Sequence, residues 1–212
     1  MNANASLLHG TVLVADTSDP AVVAALALPV QDATTNPSLV LKTLQQPAYR
    51  PWLRQAAQST QAVAGQEHAE AVMDTLLVRF AHALLAVIPG RVSVELDARL
   101  SVDTQATVVK AHQLLARMDA AGVPRQRVLV KIAATWEGIQ AARALSEQGI
   151  GTNMTLVFGM AQATACADAG ATLISPFVGR IYDYVKAQAG AAWDEAAHAG
   201  VRDPGVQSVT AI

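Results

Sequence analysis

Six times along this chain a short apolar run that carries polar residues toward its end is followed by a longer, largely alanine-rich segment. That alternation constrains the fold more than any other feature, because strands joined by crossover helices assemble into a parallel sheet. The runs are TVLVADT (11 to 17), QDATTN (31 to 36), RVSVELDA (91 to 98), RVLVKIAA (127 to 134), GTNMTLV (151 to 157) and TLISPFV (172 to 178), and each predicts a strand. Helices are predicted from Asp103 to Ala121, Glu137 to Gln148 and Met160 to Ala169. Gly122, Gly149 and Gly170 stand where glycine closes a helix well. The segment from Pro37 to Pro89 has room for several helices. With no low-complexity linker and no charge block, the expectation is one domain over residues 1–212.

Composition narrows the function classes. The 212 residues are 52% hydrophobic and 15% charged, enough for one sizeable core and far from the composition of a disordered chain. A net charge of −2 and 4% aromatics provide neither the basic footprint nor the stacking platforms of a nucleic-acid surface, so no nucleic-acid partner is expected. Cys166 is the sole cysteine, and its setting AQATACADAG reads as a buried helical thiol with no neighbouring base to activate it. The opening MNANASLLHG lacks the basic and long apolar regions of a secretory signal, and no apolar run approaches the roughly 20 residues of a membrane span. A cytoplasmic protein with no membrane partner is expected. There is no GxGxxG, Walker loop or His-x-x-x-His, so nucleotide and zinc sites have no anchor. His9, His68, His82, His112 and His198 are scattered, and Trp52, Trp136 and Trp193 read as packing residues.

One residue is out of keeping with its surroundings. In RVLVKIAATWEGI, Lys131 stands between Val130 and Ile132 in what otherwise reads as a buried strand. Two readings fit: a snorkelling stem with its ammonium in water, or an amine held away from water as a carbonyl nucleophile. Side chains alternate between the faces of a strand. Lys131 therefore shares a face with Leu129 and Ala133, Glu95 with Ser93 and Asp97, Asn153 with Thr155, Thr34 with Asn36, and Ser175 with Leu173 and Phe177. Each strand thus aims polar groups from one parity near its C-terminal end, which in a parallel β/α barrel is the catalytic rim. Glu95 is either a solvated strand-end carboxylate or a proton-exchange partner for the lysine. Asp16 is either the N-cap of the following helix or a catalytic acid/base. Asn36, before Pro37, fits a cap whose carbonyl oxygen accepts while its nitrogen stays free to donate.

VADT, DATTNPSLV, VSVELDARLSVDT, VLVKIAATWEGI, GTNMTLVF and LISPFVGRIYDY together resemble, in order and spacing, the successive strand motifs of the classical transaldolases, from near Thr11 to Ile212. The resemblance implies a (β/α)8 TIM-type barrel, no metal or organic cofactor, and transfer of a dihydroxyacetone unit between sugar phosphates. The donors would be sedoheptulose 7-phosphate or fructose 6-phosphate, and the acceptors glyceraldehyde 3-phosphate or erythrose 4-phosphate. It matches Lys131 to the Schiff-base lysine, Glu95 and Thr155 to the pair that positions a catalytic water, and Asp16 to the general acid/base. It also matches Asn36, Asn153 and Ser175 to groups that hold substrate hydroxyls, and Arg180 to a phosphate ligand. Phe177 is either a wall of the substrate channel or a core residue.

The length departs from that pattern. An eight-stranded barrel typically needs about 250 residues, and DPGVQSVTAI comes where the resemblance would lead into a seventh strand. The expectation is an incomplete barrel of about six parallel strands, lacking the last two β/α units and the Ser and Arg phosphate ligands they carry in the family. Besides a transaldolase, a non-catalytic truncated homologue and a dihydroxyacetone-type aldolase fit the same residues. Sheet edges left at TVLVADT and TLISPFV predict either a homo-oligomer paired through those edges or a poorly soluble chain.

Overall fold

The computed structural model of the chain describes residues 10–62 and 64–212. The opening MNANASLLH, and with it His9 and the expectation about a signal, lies outside the described residues. The strands are β1 (Leu13–Asp16), β2 (Val30–Thr34), β3 (Val92–Glu95), β4 (Val128–Ala133), β5 (Thr152–Val157) and β6 (Leu173–Pro176). They form one six-stranded sheet in the order β1-β2-β3-β4-β5-β6, with parallel pairing of β1 to β2, β2 to β3 and β5 to β6. Strictly sequential order has no switch point, which separates this sheet from the doubly wound folds. It is the connectivity of the (β/α)8 barrel, with six strands among the described residues. The fold class is therefore α/β of the TIM-barrel type, incomplete as expected.

The helices are α1 (Pro20–Ala25), α2 (Pro37–Leu44), α3 (Arg50–Ser59), α4 (Gly65–Leu85), α5 (Thr104–Ala120), α6 (Trp136–Ser146), α7 (Met160–Asp168), α8 (Val178–Ala189) and α9 (Pro204–Ala211). Three of them begin in one way, with proline at the first helical position behind an acidic or amide cap. Asp19 Oδ1 accepts from the Ala21 N–H at 2.9 Å, Asn36 Oδ1 from Leu39 at 2.9 Å and Asp203 Oδ1 from Gly205 at 2.7 Å. Where the helices start explains why strands run shorter than the sequence suggests. QDATTN stops being strand at Thr34 because Asn36 belongs to α2, and TLISPFV stops at Pro176 because Phe177 leads α8.

Helices α5, α6 and α7 also end alike. Gly122, Gly149 and Gly170 take φ of +74°, +72° and +75°. The next residue then donates back to the carbonyl five positions earlier: Val123 to Met118 at 2.9 Å, Ile150 to Leu145 at 3.0 Å and Ala171 to Cys166 at 3.0 Å. Only glycine takes this left-handed turn without strain.

The chain divides into two compact units, Met1–Asp97 with Val109–Val130, and Ala98–Val108 with Lys131–Ile212. The first is centred on Leu76, Phe80, Leu84, Val92, Leu114 and Met118, all fully buried, and the second on Leu145, Met154 and Cys166. Burial pushes the Cys166 thiol up, in keeping with an inert core residue. Trp52 packs with Tyr49 and Phe80 beneath the Arg79 guanidinium, and Trp193 lies between Tyr182 and His198. Trp136 corrects the packing expectation: it opens α6 and is 69% exposed. Among the described residues no helix is long and apolar enough to cross a membrane.

Candidate active site

In the second unit, Lys131 is the fourth residue of β4, VLVKIA, in which every residue but the last is buried. A strand covered on both faces is what a parallel α/β sheet requires. Lys131 is only 5% exposed, so its head does not snorkel into bulk water and that reading of the sequence falls. Beyond the strand, Thr135 caps α6 by accepting from the Gly138 N–H at 3.0 Å. Gly138 sits so close to the strand that an added Cβ would lie 2.1 Å from the Ala133 carbonyl oxygen. The helix is thereby seated directly on the tip of β4.

The tips of β5 and β6 bring three of the predicted residues together. Thr155 stands opposite Ser175 in the parallel register, and Ser175 Oγ donates to Asn153 Oδ1 at 2.7 Å. Asn153 and Thr155 are both buried, yet the Thr155 hydroxyl has no hydrogen-bond partner. Leaving a buried hydroxyl unpaired costs about 1–3 kcal/mol, so such a group marks a place where folding alone does not account for the side chain. Immediately after it the register slips by one residue, with Thr155 facing Ser175 and Val157 facing Pro176. The extra residue is Leu156, left-handed at φ +60°. Phe177 donates its N–H to the Val157 carbonyl at 3.0 Å and rests its half-buried ring against Phe158, 5.6 Å between centroids. Arg180, in the first turn of α8, is exposed and forms no ion pair among the described residues.

In the first unit, Asp16, Asn36 and Glu95 lie at the C-terminal ends of β1, β2 and β3. Asp16 ends β1 opposite Thr34 and is exposed. The cap of α1 is Asp19, three residues later, so the capping reading of Asp16 falls. Asn36 caps α2 through its carbonyl oxygen, as the sequence suggested, which leaves the amide nitrogen to donate elsewhere. Glu95 is the half-buried last residue of β3.

Sequence reasoning missed Asp19. Its carboxylate accepts from Tyr49 Oη at 2.5 Å and Gln46 Nε2 at 3.1 Å. Burial works to raise the Asp19 pKa, but these hydrogen bonds and those from the Ala21 and Val22 backbone outweigh it and hold the carboxyl below its usual value. Burial, aided by the Asp19 carboxylate, pushes the Tyr49 phenol up to about 12. The signal was present in Asp19-Pro20, an acidic cap directly before a first-turn proline. Among the described residues no cluster of His, Cys, Asp or Glu is arranged to hold a metal ion.

The family model described as transaldolase/fructose-6-phosphate aldolase matches residues 13–212. A transaldolase of Methylibium petroleiphilum is 56% identical over 202 residues, which make up 95% of this chain and 62% of that protein. The chain thus spans a little under two thirds of the length of that relative. With sequential parallel strands, a lysine buried in the fourth and a match that begins at the first residue of β1, the chain belongs to the transaldolase/fructose-6-phosphate aldolase family.

Proposed function

We propose that this chain carries the Schiff-base chemistry of a transaldolase, moving a dihydroxyacetone unit from sedoheptulose 7-phosphate or fructose 6-phosphate to an aldose phosphate. The burial of Lys131 within β4 is the observation that carries this reading, since an amine withdrawn from solvent in an apolar strand suits attack on a carbonyl. The Lys131 amine adds to the ketose carbonyl, and loss of water gives an iminium. Asp16 takes the proton of the C4 hydroxyl, the C3–C4 bond breaks, and its electron pair passes into the iminium to leave an enamine. The first aldose departs. The enamine then adds to an acceptor aldehyde, the iminium forms again, and water hydrolyses it to free the lysine. Glu95 and Thr155 handle the water that is lost and regained, and the unpartnered Thr155 hydroxyl supports that role. Asn36, Asn153 and Ser175 hold substrate hydroxyls, Phe177 walls the site and Arg180 takes a phosphate. Such an exchange belongs to the non-oxidative pentose phosphate pathway of the cytoplasm.

The test is trapping. Fructose 6-phosphate with borohydride is expected to leave a reduced dihydroxyacetone adduct on Lys131, and Lys131→Arg is expected to abolish it, because arginine cannot act as the amine. An adduct mapped to Lys42, Lys110 or Lys186 sinks the assignment, and none at all favours a non-catalytic homologue. The family description names an aldolase beside the transaldolase, which favours one second reading. Release of free dihydroxyacetone in the absence of an acceptor aldehyde distinguishes it.

A further inference from the structure

We propose that Gln162 is a positioning residue that fixes the tip of β5, and with it the Thr155 hydroxyl, for the water-transfer steps of the cycle. The inference rests on the function proposed above. Gln162 is the third residue of α7, where a long side chain lies back toward the start of its helix. Its amide there joins three backbone groups. Nε2 donates to the Ala134 carbonyl at 2.9 Å and to the Leu156 carbonyl at 3.0 Å, and Oε1 accepts from the Phe158 N–H at 2.9 Å. Both amide hydrogens are used, so the side chain has one orientation.

The groups it joins are those that set Thr155. Ala134 follows β4 three residues after Lys131, and its N–H donates to the Thr155 carbonyl at 2.7 Å. Leu156 is the bulge residue, and a left-handed leucine is strained and persists only where its surroundings hold it. Gln162 grips the carbonyl of that residue and the N–H two residues on. Without the grip, Leu156 is free to relax toward negative φ, which rotates the peptide that follows Thr155 and loosens the register opposite Ser175. A glycine would make the same bulge without strain. The pairing of a strained leucine with a dedicated clamp, beside an unpartnered buried hydroxyl, points to placement of that hydroxyl and not merely to closure of the strand.

The experiment measures formation and hydrolysis of the borohydride-trappable adduct with fructose 6-phosphate. The proteins are the wild-type chain, Gln162→Met, Gln162→Glu, Thr155→Val and the double variant Gln162→Met with Thr155→Val, with thermal melting on each. Methionine keeps the length and removes every hydrogen bond, whereas glutamate keeps an acceptor for Phe158 and loses both donors. Each Gln162 variant is expected to slow both steps about tenfold to a hundredfold. The double variant is expected to be no slower than Thr155→Val, because Gln162 acts only through that hydroxyl. Losses that multiply in the double variant overturn the inference, as do unchanged rates in either Gln162 variant. Failure of both Gln162 variants to fold also overturns it, since Gln162 would then be an element of the fold. Absence of any adduct on wild-type Lys131 overturns the Schiff-base reading and this inference with it.

Discussion

The two sides of the sheet treat buried polar groups differently. Where β3 and β4 begin, the polar groups are paired. Asp32 accepts from the Arg91 N–H at 2.7 Å and lies 3.7 Å from its guanidinium, while Arg127 donates to the carbonyls of Gly90 at 2.7 Å and Ile88 at 2.6 Å. Where the strands end, pairing is incomplete: the Thr35 hydroxyl donates to the Ser93 carbonyl at 3.2 Å and Ser175 to Asn153, but the hydroxyls of Ser18 just past β1, Thr34 at the end of β2 and Thr155 near the end of β5 are buried without partners. An unpaired buried hydroxyl is destabilising, and an apolar side chain of the same shape would serve the fold at least as well. The fold accounts for the paired groups, and it does not account for the unpaired ones. Thr152, at the start of β5, is also buried without a partner, and nothing in the structure explains it.

The largest effect is expected at Lys131, buried in β4. Lys131→Met should abolish adduct formation, because a thioether has no amine to add to the ketose carbonyl. An adduct that survives in this variant would place the nucleophile elsewhere. Gly90→Ala is the reverse case. Its Cβ would lie 1.9 Å from Asp32 Oδ1 and 2.7 Å from the Gln31 carbonyl oxygen, and displacing both should cost about 3 kcal/mol, the upper end for overpacking. Denaturant unfolding should show that loss, with unaltered adduct formation by the folded fraction.

Tyr49→Phe separates partnering from location. Asp19 lies three residues past Asp16, yet it is fully hydrogen-bonded. Losing the Tyr49 bond should cost about 1.5 kcal/mol, the lower end for a hydrogen bond to a charged group, without slowing adduct formation. The Asp19 carboxyl is held below its ordinary value of 3.8, so its contribution is present above that pH and is lost as pH falls through the lower folded value. The Tyr49 phenol is raised from 10 to about 12, so its contribution is present below pH 10 and is lost as pH rises toward 12. The stability gap between wild type and Tyr49→Phe should therefore be flat through neutral pH and close at both extremes. A slower reaction at unchanged stability would place this pair in the site instead.

The strands and three helix ends were legible because they rest on local chemistry: apolar runs of strand length, and glycine where the chain must turn left-handed. Asn153, Thr155 and Ser175 were legible as one face because a strand alternates with period two and the register keeps that parity up to Thr155. Beyond Thr155 the parity breaks, and nothing in TLVF announces a left-handed leucine. Gln162 was invisible for a related reason, since its role depends on which backbone groups the fold brings within its reach. Asp16 and Asp19 both suit a cap, and only the proline beside Asp19 decides between them. Hydrophobicity alone placed Trp136 inside, whereas the first turn of α6 leaves it in solvent.

The smallest effect is expected where charges are partnered but exposed. Glu195 accepts from Trp193 Nε1 and from Lys186 Nζ at 3.1 and 3.2 Å, and hydrogen bonds from Trp193, Tyr182 and Lys186, in that order, draw its carboxyl down to about 2. The group stands in open solvent, where ions screen the attraction over about 8 Å at physiological salt and ordering two side chains cancels most of the gain. Whatever it contributes is present above its ordinary value of 4.5 and is lost as pH falls through about 2. Glu195→Gln should leave the melting temperature within error at physiological salt and change neither step of adduct turnover, with a small deficit emerging only at low ionic strength. A deficit as large as that of Tyr49→Phe, persisting at high salt, would mean that partnering holds this fold together without burial, and the distinction drawn between the two sides of the sheet would then have to rest on the unpartnered hydroxyls alone.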